Sequence, residues 1–262
     1  MPVTVGMLAV NWLARFSKHS CTFQYKDARE RMGHSGIGMS TKTRIESRVG
    51  AIVLAAGSSS RMGEAKQLLP LADSTVLERT LGNLIGSNVD EIVLVLGSSA
   101  ETIRERLAES STRQLRILVN PDYGQGMATS LRAGLAVLDK NIKAALIVLA
   151  DQPFVRTKTF DRIIDQYRRS DAQIVIPMFQ GFRGNPVLLD RSVFLEVMAL
   201  RGDIGCRAIF GNHLDRIVKE EVNDVGILLD IDNKDDYERL RDFGPLGPPP
   251  SWLAMKLRHS AS

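Results

Sequence analysis

Five apolar runs rich in Val, Ile and Leu punctuate the middle of the chain, at Val49–Ala55, Glu91–Leu96, Leu115–Val119, Ala144–Ala150 and Gln173–Pro177. Between them the spacing predicts helices over Val76–Ser87, Ala100–Ala108, Met127–Leu138 and Thr159–Arg168. Near-continuous apolar strands that alternate with helices read as a parallel sheet covered on both faces. After Pro177 the rhythm loosens into a Gly-rich loop, two short helices, a strand near Ile227–Ile231 and a last helix over Lys234–Arg241. The expected fold class is therefore α/β: a single doubly wound, Rossmann-like, mostly parallel sheet spanning residues 49–243. In such sheets ligands bind beyond the carboxyl ends of the strands, so chemistry is sought just after each run.

The flanks read differently. Residues 1–48 show no sustained period and are expected to be a poorly ordered basic extension. Val3–Leu13 is mildly apolar, but no positive segment precedes it and no small-residue cleavage site follows closely, against a secretory signal. An organellar presequence is the lesser alternative, and Met39 is a candidate start. Gly244–Pro250 is rich in proline and stops any helix, leaving residues 244–262 as a tail.

Composition changes this picture little. Of 262 residues 44% are hydrophobic and 24% charged, as in soluble globular chains. No apolar run reaches the ~20 residues of a membrane-spanning helix. The net charge of +4 belongs to the first 50 residues, where eight Lys/Arg face three Asp/Glu; the remainder is −1. A nucleic-acid face needs clustered Lys and Arg, so neither nucleic acid nor membrane is an expected partner. Two cysteines, Cys21 and Cys206, make no disulfide framework and suggest a cytoplasmic protein.

The first apolar run leads into Leu54-Ala55-Ala56-Gly57-Ser58-Ser59-Ser60-Arg61-Met62-Gly63-Glu64-Ala65-Lys66-Gln67-Leu68-Leu69-Pro70. Small residues let backbone amides approach an anion, and Arg61 and Lys66 add fixed positive charge. The P-loop pattern fails, because five residues separate Gly57 from Gly63 and Glu64 follows; the dinucleotide fingerprint is absent. This segment resembles the signature of the nucleotidyltransferases that build molybdenum cofactor dinucleotides, in particular the cytidylyltransferases. The likeness runs to about Tyr237.

The resemblance implies transfer of CMP from CTP to the phosphate of molybdenum-molybdopterin, with release of pyrophosphate. It implies nucleotide binding by Leu54, Ala55, Ala56, Gly57, Arg61, Gly63, Lys66, Gly126 and Ser130, with Arg61, Lys66 and Asp151 catalytic. Ser130 sits one turn into a helix and faces the cleft if Leu131 and Leu135 face the sheet. Ala56 and Gln67 match the cytidine-using pattern over the guanosine-using one.

Asp151, in Leu149-Ala150-Asp151-Gln152-Pro153, reads on its residues alone as either a cap or a ligand for Mg²⁺; the family pattern implies the metal. Asp230 or Asp232, in Asp230-Ile231-Asp232-Asn233, is the second candidate ligand. Only one of the two is expected to face the cleft, with Asp232 favoured for its closeness to the last helix. Relatives carry Thr-Pro where this chain has Asn233-Lys234. Arg183, Asn185, Asp203 and Arg207 resemble the family's acceptor-side residues, and a molybdoenzyme of the hydroxylase type is an implied partner. His213 has no Ser or Cys partner that would suggest a nucleophilic triad. The rival expectations are a non-catalytic molybdopterin carrier or chaperone, and a transferase for another small phosphorylated acceptor.

Overall fold

The computed structural model describes residues 46–57, 65–107 and 114–242. The chain divides between Gly38 and Met39, and every described residue belongs to the second part. The sheet is built from β1 (Arg48–Ala55), β4 (Glu91–Leu96), β5 (Leu115–Val119), β6 (Ile142–Leu149), β7 (Ile174–Phe179), β8 (Phe182–Arg183), β9 (Val187–Asp190) and β10 (Ile217–Glu221). A separate two-stranded hairpin joins β2 (Pro70–Leu71) to β3 (Ser74–Thr75). The order is β10-β7-β9-β6-β1-β4-β5, with β8 paired to β7.

The strands are apolar at nearly every position because both faces are covered. In β1, Val49, Ala51 and Val53 belong to one core, and Ile52 to the other. In β4, Ile92, Leu94 and Leu96 alternate in the same way with Val93 and Val95. The first core also takes in residues of α1 (Val76–Ile85), α2 (Ala100–Leu107), α4 (Thr157–Arg169) and α6 (Lys234–Leu240). The second takes in α3 (Met127–Val137), α5 (Phe194–Ala199) and the 3-10 segment Cys206–Arg216. Apolar burial on both sides is the main stabilising term, at roughly 25 cal/mol per Å² removed from water.

Helix starts are specified locally. The Thr75 hydroxyl accepts from the Glu78 amide at 3.2 Å, while the Glu78 carboxylate accepts from the Thr75 amide at 2.8 Å, a reciprocal capping box at the start of α1. Asn233 caps α6 by accepting from the Asp236 amide at 2.9 Å.

Three features depart from the sequence expectation. Ile227–Ile231 is no strand: Val225–Leu228 is a 3-10 turn, and the residues after it lead into α6 without joining a sheet. The last strand lies earlier, at Ile217–Glu221, where Lys219, Glu220 and Glu221 mask the edge-strand pattern. The sheet is mostly parallel, as expected, but Val187–Asp190, where no strand was expected, forms β9 antiparallel to both β6 and β7. No helix among the described residues is long and apolar enough to cross a membrane.

Candidate active site

Four segments converge at the carboxyl ends of the central strands around a cleft of about 900 Å³. From β1 and the residues just after it come Leu54, Ala56 and Gly57; further along, Lys66 and Gln67; from just after β6, Asp151 and Gln152; from the chain before α6, Asp230 and Asp232. The loop into α3 adds Tyr123, Gly126, Met127 and Ser130, and Arg183, Asn185 and Asp203 complete the lining. Arg61 and Gly63 lie outside the described residues.

Lys66 is the hub. Its Nζ donates to Asp151 Oδ2 at 2.5 Å and to Asp232 Oδ1 at 3.2 Å. Burial pulls its pKa down, but the charges of Asp151 and then Asp232, with the hydrogen bonds to each, outweigh that and hold it above the ordinary 10.5. The ammonium is therefore charged and spans two carboxylates. The spacing is fixed through the backbone too, because the Ile231 amide donates to the Asp151 carbonyl at 3.0 Å.

Asp230 and Asp232 both line the cleft, correcting the expectation that one would turn away. Residues i and i+2 of an extended segment share a side, and the residue between them, Ile231, is fully buried in the core. Asp151 retains one buried oxygen, Oδ1, with no hydrogen-bond partner. A buried carboxylate oxygen left unpaired is costly unless something arrives to satisfy it.

Gln67 is 2% exposed and donates to the Ala55 carbonyl at 3.2 Å, tying the turn to the end of β1. Ala55 itself is buried and is not among the lining residues, so its part is structural. Ser130 faces the cleft while Leu131 and Leu135 pack in the core, as helical geometry requires. Asn120, which sequence reasoning passed over, is 4% exposed and donates to both Thr129 Oγ1 (2.8 Å) and Ser130 Oγ (3.0 Å). Its position directly after β5 was the available signal.

On the acceptor side the outcome is mixed. Arg183 lies over the Phe210 ring, 5.5 Å from its centroid, and Asn185 lies beside it on the cleft wall. Asp203 lines the cleft, yet its Oδ1 accepts from the Met127 amide at 3.2 Å and so caps the start of α3. Gly126 makes that approach possible: its φ is +106°, and a Cβ there would come within 2.3 Å of the Gly202 backbone. Arg207 is exposed on the Cys206–Arg216 segment and is not among the lining residues, which corrects its expected role. Its neighbour Cys206 is buried, and burial pushes its thiol pKa up to about 12.

The charged side chains on this wall are Asp151, Asp203, Asp230 and Asp232 against Lys66 and Arg183. Among the described residues no group of three His, Cys, Asp or Glu side chains is arranged to hold a metal ion by itself.

Comparison with known proteins decides the family. The model of the MobA-like NTP transferase domain matches residues 51–217. The chain belongs to the MobA-like NTP transferase family. It is 30% identical over 193 residues to the molybdenum cofactor cytidylyltransferase of Escherichia coli K12, covering 73% of this chain and 94% of that one. It is also 30% identical over 169 residues to the nicotine blue oxidoreductase of Paenarthrobacter nicotinovorans, covering 61% and 79%. The crystal structure of Rv0371c from Mycobacterium tuberculosis H37Rv superposes with a TM-score of 0.64 at 33% identity, covering 75% and 98%. A second crystal structure of that protein is of its complex with manganese. This family member is thus a nucleotidyltransferase with the nucleotide-diphospho-sugar transferase fold, although one relative carries the name of an oxidoreductase.

Proposed function

We propose that the enzyme transfers CMP from CTP to the phosphate of a molybdopterin-type acceptor. The observation that carries this reading is the Lys66–Asp151–Asp232 constellation at the ends of β1 and β6. An acceptor phosphate is already anionic at neutral pH, so the reaction needs no protein nucleophile and no strong base. An acceptor oxygen forms a bond to the α-phosphorus of CTP, the bond to the β-phosphate oxygen breaks, and pyrophosphate leaves with both electrons of that bond. Catalysis is then positioning and charge neutralisation.

Each residue has a part in this. The Lys66 ammonium and the amides of the Ala56–Gly57 turn offset charge on the triphosphate, joined in this reading by Arg61 and Gly63. Gly126 and Ser130 orient the base and ribose, and Asn120 holds the Ser130 hydroxyl in place. Arg183, steadied on Phe210, and Asn185 meet the acceptor phosphate. The pair Ala56 and Gln67 favours cytidine, with Gln67 fixing the backbone at Ala55.

The residues fit a divalent cation. The unpartnered Asp151 Oδ1 is a buried acceptor of the hard kind Mg²⁺ prefers, and Asp230 and Asp232 share its cleft. Four carboxylates against two cations make a wall that repels a triphosphate unless positive charge is added. Mg²⁺ commonly keeps waters and takes substrate phosphates as ligands, so fewer than three protein carboxylates suffice. When bound, it would neutralise phosphate charge beside Lys66.

Steady release of pyrophosphate from CTP, dependent on Mg²⁺ and on a molybdopterin acceptor, tests the reading against GTP as the competing nucleotide. Binding of acceptor with no pyrophosphate release marks a carrier. Release with a different phosphorylated compound, and none with molybdopterin, moves the acceptor.

A further inference from the structure

Single exposed apolar side chains are ordinary on a protein surface, but one that lines a ligand cleft is available to contact what binds there. Six large ones are exposed among the described residues: Val119, Tyr123, Met127, Leu195, Ile204 and Leu214. Of these, Tyr123 and Met127 line the cleft. Tyr123 is 37% exposed and stands on the 3-10 turn between β5 and α3, four residues before the start of that helix.

The ring is placed by a close approach. A Cβ at Gly97, which follows β4, would lie 2.7 Å from Tyr123 Cγ and 2.3 Å from the Ala56 carbonyl oxygen. Such distances are prohibitive, so glycine at 97 is what lets the tyrosine ring settle against the backbone leading into Gly57. The turn is pinned as well: the Asp122 amide donates to Asn120 Oδ1 at 3.0 Å, and Asn120 is buried. The hydroxyl of Tyr123 makes no hydrogen bond with the described residues.

We propose that Tyr123 is the platform on which the nucleobase of the triphosphate stacks, with Met127 as a soft flank. The inference rests on the nucleotidyltransferase reading and adds to it a residue that binds and orients the base. Its occupant is the base rather than the pterin, because the ring and the Ala56 backbone meet over Gly97, and the Gly126 amide donates to the Tyr123 carbonyl at 3.2 Å: Ala56 and Gly126 are residues that the proposed function gives to the nucleotide. Aromatic faces take any base, so Tyr123 supplies affinity and orientation while hydrogen bonds elsewhere select the base.

The experiment compares binding of CTP and of ribose 5-triphosphate, which lacks the base, to the full chain with Mg²⁺ present. Tyr123→Ala should weaken CTP binding about fivefold or more, the scale of losing one aromatic–base stack, and leave ribose 5-triphosphate unchanged. Tyr123→Phe should restore CTP binding, since only the ring is needed. An unchanged melting temperature in Tyr123→Ala confirms that the fold is intact. Equal weakening of both ligands, no weakening of either, or a raised acceptor KM with unaltered CTP affinity overturns the proposal. Failure of the underlying reading shows separately, as absence of nucleotide binding in the unmutated protein.

Discussion

The site turns on one ammonium group shared by two carboxylates. Removing charge from either should not be equivalent, because Asp151 is 18% exposed with an unpaired oxygen, whereas Asp232 is 41% exposed. Asp151→Asn is expected to lower turnover ~100-fold or more, the scale of losing one electrostatic stabiliser. Asp232→Asn and Asp230→Asn should each cost less, Asp232 being the more exposed of the two carboxylates that Lys66 is seen to bridge. Mg²⁺-dependent pyrophosphate release in the three variants measures the ranking; near-normal activity of Asp151→Asn refutes the site. Lys66 carries a second expectation, in pH. Its pKa is raised on folding, so the stability it draws from its partners is complete below about 10.5 and is lost as pH climbs through the higher folded value. The stability advantage of the unmutated chain over Lys66→Met should therefore shrink above pH 10.5, as read by urea unfolding at a series of pH values. Lys66 stood out in the sequence beside its glycine turn, whereas Asp151, at the end of an apolar strand, read as a cap or a ligand until the family resemblance chose between them. Asn120 and the capping role of Asp203 were not legible, since a hydrogen bond between residues 76 positions apart leaves no local spacing.

Among the elements, legibility followed burial on two faces. Glu91–Leu96 and Leu115–Val119 were read to the residue, as each apolar run is bounded by turn residues. The apolar run Ile227–Ile231 misled for the same reason: its side chains are buried as deeply as a strand's, but the backbone pairs with no strand. Gly226 packs against the Phe154 carbonyl instead, and Asp224 accepts from its amide at 3.0 Å, curling the chain into a turn. Helix α3 offers a test at this scale. Its first residue is capped from a distant loop by Asp203, while Gly126 has no side chain to do so. Asp203→Ala should destabilise the protein by about 1 kcal/mol in urea unfolding, the usual effect of a lost cap, and Asp203→Asn should recover most of it. An unaltered midpoint in the alanine variant would show that the bond contributes nothing.

For the molecule as a whole, the buried hydrophobic residues described run from Val49 to Leu240, and the family match begins at residue 51. Deleting residues 1–38 is accordingly expected to leave cooperative melting and nucleotide binding unchanged, as calorimetry and ligand titration would show. The limit lies close by. Arg168 Nε and Nη2 donate to the Ser47 carbonyl at 3.3 and 3.2 Å, so a deletion that takes Ser47 strips a contact from α4 and should lower the melting temperature.

Cys206 gives the segment that carries Phe210 a chemical character of its own. With its pKa pushed up to about 12, on the order of one thiol in 100,000 is ionised at neutral pH, and the sulfur is buried besides. Oxidants and alkylating agents attack the thiolate, so this sulfur is inert for as long as the segment stays shut. Its rate of modification is then set by how often Cys206–Arg216 opens to solvent, which makes the residue a natural gauge of breathing in that segment.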